Sequence, residues 1–121
     1  MLIRSVTSFI HIEDGSHLPV DKFIEAGALG KEAVQQFKNA GLEVQTIRLA
    51  TNSFADYLSL NDTNLAIQQA QAIEDLASKQ GFSYTSLGPA MAECQESFQL
   101  IPALFKNTEN VFLTGNMLTK A

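Results

Sequence analysis

The side chains best suited to chemistry in this sequence are few: two histidines, one cysteine and two arginines. His11, Glu13, Asp14 and His17 fall within seven residues, and imidazole with carboxylate is a ligand set for a divalent cation. Their spacing matches no zinc pattern, and the run follows an apolar segment as a polar turn, so it reads as a solvated loop with no metal. Cys94 lies between carboxylates in Ala92-Glu93-Cys94-Gln95-Glu96, and nearby negative charge disfavours the thiolate that a nucleophile needs. A lone cysteine also forms no internal disulfide, and the expectation is a structural or incidental role.

Phosphate loops are absent. There is no Gly-x-Gly-x-x-Gly and no Gly-Lys-Ser/Thr string. Gly27-Ala28-Leu29-Gly30-Lys31 lies within helical periodicity, where backbone amides are already used. No cofactor is implied.

Arg4 and Arg48 fall inside candidate strands, where a helix-covered parallel sheet ordinarily shows apolar runs. Arg48 lies near the carboxyl end of its strand and could present its planar fork to a carboxylate or phosphate. The competing reading is an intramolecular ion pair, or an edge strand with its arginine in water. Ligands of α/β proteins bind beyond the carboxyl ends of the strands. The site candidates are therefore Arg48 with Thr51, Asn52, Ser86, Gly88 and Asn116, and beside them His11, Glu13 and Thr114.

Those positions depend on the elements that carry them. Leu2 to Ile12 is rich in β-branched and aromatic residues and reads as a strand. Pro19 suits the first turn of a helix that runs to about Asn39 and stops at Gly41. Phe23, Val34 and Phe37 share one face of it, with Gly27 and Gly30 on the same stripe, which predicts a close backbone neighbour there. Leu42 to Thr51 reads as a second strand, and Phe54 to Leu60 as a short helical turn or a packed loop. Asp62 or Thr63 caps a helix with Leu65, Ala66, Ala70, Ile73, Leu76 and Ala77 at helical spacing, ended by Gly81. Phe82 to Ser86 is a third strand, with a turn at Leu87-Gly88-Pro89. Ala90 to Ser97 is not readable by periodicity. Pro102 opens or kinks a short helix through Phe105, and Val111 to Thr114 is the last strand. The expected fold is one α/β domain over residues 1–121, a parallel β-α-β-α-β-α-β sheet with right-handed crossovers.

The whole chain limits its functions further. Its 121 residues suffice for a single domain, and 45% apolar with 17% charged residues is globular composition. Net charge is -5, with 13 acidic against 8 basic side chains. Without clustered Lys and Arg the chain offers phosphate backbones little, so no nucleic-acid partner is expected. No apolar run nears the roughly 20 residues of a membrane span, and the start lacks a signal layout. A soluble, cytoplasmic protein is expected.

Several strings resemble the prokaryotic family known as domain of unknown function 711. They are Ile3-Arg4-Ser5-Val6-Thr7, then Gly41 through Thr51 with its Arg48-Leu49-Ala50-Thr51 ending. Gly81-Phe82 through Gly88, Ile101-Pro102-Ala103-Leu104 and Asn110-Val111-Phe112 are the others. In the family the second string is often followed by Pro-Phe, whereas here Asn52-Ser53-Phe54 follows. The resemblance implies a parallel α/β arrangement similar to part of the barrel of pyruvate formate-lyase-type glycyl-radical enzymes. It supplies no reaction, and Cys94 does not match the cysteine loop of those enzymes. Family members are several times longer, which implies a shortened member or a fragment of a longer product.

Two functions follow as expectations. One is a binding or assembly module of unassigned function, forming a homo-oligomer, most simply a dimer. The other is an enzyme, or part of one, acting on a small anionic metabolite at the carboxyl ends of the strands.

Overall fold

The computed structural model describes residues 2–91 and 94–116, the last two by their backbone. Four strands alternate with three helices: β1 (Leu2–Ile10), α1 (Val20–Asn39), β2 (Glu43–Thr51), α2 (Thr63–Lys79), β3 (Tyr84–Met91), α3 (Gln95–Lys106) and β4 (Val111–Asn116). The sheet is parallel throughout, in the order β1-β2-β3-β4. Because each strand is laid beside the last in one direction, right-handed crossovers put every helix on the same face. Alternation along the strands follows from this. Ile10, Leu49, Thr51, Thr85, Leu87 and Val111 are buried under the helices. The intervening residues point to the other face, which no element of the described chain covers.

The helix ends follow their sequence signals. Gly41 and Gly81 take φ of +82 and +94. In each case the next two amides close back on the helix: Gly41 N donates to Lys38 O and Leu42 N to Phe37 O, Gly81 N to Ser78 O and Phe82 N to Ala77 O. These are Schellman caps, in which glycine takes the left-handed position. Asp62 caps α2, its Oδ1 accepting from Leu65 N at 3.1 Å. Ala66, Ala70, Ile73 and Ala77 form its fully buried stripe. On α1 Phe23 is fully buried, while Val34 and Phe37 are half-buried.

Three expectations need correction. β3 does not end at Ser86: it runs on through Leu87, Gly88 and Pro89 to Met91. Its register against β4 slips by one between Ser86–Phe112 and Pro89–Thr114. The predicted turn is thus a β-bulge, one extra residue on β3, with Gly88 at φ +77 supplying the conformation. Of the two roles expected of Pro102, opening α3 is ruled out, since the helix starts seven residues earlier at Gln95 and Pro102 lies inside it. The proline sits on the exposed side, and burial of Ser97, Leu100 and Leu104 on the other side outweighs the hydrogen bond its ring removes. β1 ends two residues early, at Ile10, with Ile12 fully buried in the loop beyond.

Phe54–Asp56 forms one 3-10 turn, and Phe54, Tyr57 and Leu58 are all buried, so this loop is part of the core. No helix of the described residues is long and apolar enough to cross a membrane.

Candidate functional site

The carboxyl ends of the strands are tied together by the side chains that sequence position singled out there. Asn52 acts as an extra rung between β1 and β2: its Oδ1 accepts from Ile12 N at 2.8 Å, and its Nδ2 donates to Ile12 O at 2.9 Å. Nδ2 also reaches Asp56 Oδ2 at 3.2 Å. Thr51 Oγ1 donates to Asn52 O at 2.8 Å and lies 2.6 Å from the Tyr57 hydroxyl. Burial pushes the Tyr57 phenol far above its ordinary range; the Thr51 hydrogen bond opposes this, and nearby Asp56 adds to it. Ser53 Oγ donates to Pro89 O at 2.6 Å, closing the β2 loop over the bulge. Gly88 lies beneath, so close that a Cβ would stand 2.6 Å from Asn52 O. Thr51, Asn52 and Gly88 therefore have their polar groups and their space committed within the chain.

The first loop is held in the same way. Asp14 Oδ1 accepts from Ser16 N at 2.8 Å and its Oδ2 meets His17 Nδ1 at 3.0 Å, both exposed. The Ser16 amide, and then the His17 ring, hold the Asp14 carboxyl below its ordinary value. His11 and Glu13 are exposed, and no three His, Cys, Asp or Glu side chains are grouped for a metal among the described residues. Buried Gln69 joins this loop to α2's own entry, accepting from Ser59 N at 2.8 Å and donating to Ser16 Oγ at 2.9 Å. Cys94 immediately precedes α3, half-buried, its thiol 3.5 Å from Glu96 Oε2. Ser97 accepts from Met91 N at 3.0 Å and donates to Cys94 O at 2.6 Å, fixing the passage from β3 into α3.

Arg48 behaves differently. It lies in mid-strand on the uncovered face, flanked by Thr7 on β1 and Tyr84 on β3 in the same row of the sheet. Its side chain leans across β3, with the guanidinium carbon 5.5 Å from the Tyr84 ring centroid and 5.9 Å from that of Phe112. The two rings stand 5.2 Å apart at 44°. Nε is buried and has no hydrogen-bond partner among the described residues, and the ion pairs among them do not include Arg48. Around it is a cavity of about 370 Å³, lined also by Thr7, Ala50, Ser86, Phe112 and Thr114. Arg48 is its one charged lining residue among the described residues.

Ser86 thus joins Arg48 in one cavity, and Thr114 borders it. Asn116 pairs with Met91 at the end of β4, and its side chain lies outside the described residues. Thr7, Tyr84 and Phe112 were not singled out from sequence. The signal for them is strand alternation combined with register, and register is fixed only once the strands are paired.

A singly covered parallel sheet with an arginine in a cavity on its bare face defines an α/β protein whose candidate site is that cavity. The chain belongs to the family described as Uncharacterised ACR (DUF711), whose model matches residues 1–121. No curated protein and no solved structure matches it.

Proposed function

We propose that this chain is a binding module whose uncovered sheet face takes a small anionic ligand at Arg48. The observation that carries the reading is that Arg48 lines a cavity with no acidic lining residue among the described residues and makes no ion pair with them. A guanidinium with no carboxylate beside it leaves charged donors for an acceptor, and a hydrogen bond to such a group is worth about 1.5–3 kcal/mol. The hydroxyls of Ser86, Thr7 and Thr114 border the same space and supply neutral donors to an anion bound there. Anion-dependent stabilisation in a thermal-shift panel of carboxylates and phosphates, lost in Arg48→Ala, is the expected result. No shift across the panel overturns the reading.

Assembly is favoured by a separate observation. β1 is a nine-residue edge strand with no proline or bulge and a single charged side chain, Arg4, to protect its outer backbone. Phe9, 65% exposed, and Leu29 border a small hollow beside that edge, which Lys22 and Glu25 also line. In a two-fold dimer β1 pairs antiparallel with its copy, and the same patch meets itself. Light scattering at micromolar concentration is expected to give twice 13.2 kDa; a monomer overturns this reading. The protein we infer is cytoplasmic, consistent with the absence of a membrane-crossing helix among the described residues.

A further inference from the structure

Resting on the Arg48 reading, we propose that the anion is the carboxylate of a small aromatic acid rather than a phosphoryl group.

Charge gives the first argument. Among the described residues the cavity holds one cation, Arg48, and no lysine, histidine or second arginine lines it. A phosphoryl group near neutral pH carries roughly 1.5–2 negative charges, and a chain of net charge -5 offers no surplus to offset the excess over one. A carboxylate carries one. Its two oxygens also match the planar edge of a guanidinium, accepting from its two Nη groups together.

The walls give the second argument. Tyr84 and Phe112 flank the guanidinium at 5.5 and 5.9 Å and tilt against each other at 44°. Phe112 is 43% exposed, so one side of its ring is free. A ligand whose carboxylate meets Arg48 places its body against Phe112 and Ala50. A flat ring covers that aromatic surface in the offset or tilted geometry that aromatic pairs favour. The volume of about 370 Å³ lies at the lower end of the range for small-molecule sites, which suits one ring with its acid group.

The test is calorimetric titration of the wild-type chain with sodium benzoate, sodium acetate and inorganic phosphate at one ionic strength. Benzoate is expected to bind about tenfold more tightly than acetate, the scale of one good aromatic contact, and more tightly than phosphate. Phe112→Ala should bring benzoate down to about the affinity that the same variant shows for acetate. Tighter binding of phosphate, lost in Arg48→Ala, overturns the carboxylate assignment and leaves the anion site standing. Equal affinity for acetate and benzoate overturns the aromatic assignment. Failure of all three to bind overturns both this inference and the reading beneath it.

Discussion

Gly88 and Asn52 approach so closely that the structure has no room for even a methyl group between them. A Cβ on Gly88 would meet Asn52 O at 2.6 Å and Ser53 Cα at 2.7 Å, both backbone atoms, and Gly88 has φ +77. The bulge in β3 and the loop after β2 are therefore one unit. Gly88→Ala should destabilise the fold by about 3 kcal/mol, the sum of left-handed strain and overpacking. Urea unfolding followed by circular dichroism measures this, and a change under about 0.5 kcal/mol would contradict it.

The two glycines inside α1 separate in the same kind of experiment. At Gly27 a Cβ would lie 2.8 Å from Gln80 O and 2.9 Å from Gln80 Cβ, where α1 crosses the end of α2. At Gly30 its nearest neighbour would be Ile47 Cδ1 at 3.8 Å, ordinary contact. Gly27→Ala should destabilise by about 1–3 kcal/mol. Gly30→Ala should stabilise by about 0.5–1 kcal/mol, since alanine is the better helix residue and the space is there. Equal effects of the two substitutions would contradict this account of the helix crossing.

Tyr57 links stability to alkaline pH. Its buried hydroxyl lies 2.6 Å from Thr51 Oγ1, and burial holds the phenol neutral far above its ordinary value of 10.0. An acid whose folded-state pKa is raised contributes stability that is complete below the unfolded value and is lost as pH rises above it. Tyr57→Phe should cost about 1 kcal/mol at neutral pH through the lost hydrogen bond. Above the ordinary tyrosine value the gap should narrow, because the variant has no phenol for the unfolded chain to ionise. A gap that stays constant into that range argues against the burial account.

The strand pattern, the helix stops at Gly41 and Gly81 and the Asp62 cap were legible because each rests on local chemistry within a few residues. The bulge was not. Leu87-Gly88-Pro89 has turn composition, and only the close approach of the Asn52 loop, 36 residues earlier, shows why a glycine is needed within a continuing strand. Pro102 misled for the opposite reason: a strong local breaker is outweighed by the buried stripe of Ser97, Leu100 and Leu104. Of the site, Arg48 and Ser86 were readable as polar residues on strands. Tyr84 and Phe112 were not, since their alignment with Arg48 is a property of register across three strands.

An arginine held for a ligand carries a stability cost in the ligand-free chain. Arg48→Met keeps an unbranched side chain of similar reach and removes the buried, unpartnered Nε. The loss of its contact with the Tyr84 ring offsets part of the gain, about 0.5–1 kcal/mol. The net expectation is a variant as stable as the wild type or up to about 1–2 kcal/mol more stable, without anion-dependent stabilisation. Destabilisation by more than about 2 kcal/mol would show Arg48 to be a structural residue.

The most direct test of the Arg48 site is a nitrogen-15 NMR titration of the wild-type chain with sodium benzoate, observing the arginine Nε–H signals. The account predicts a saturable shift of the Arg48 Nε–H, accompanied by the amides of Ser86 and Phe112, with Arg4 and the amides of α1 unmoved. An Arg48 signal that stays in place while benzoate is raised to saturation of any other shift, or one that moves no more than Arg4, would contradict it.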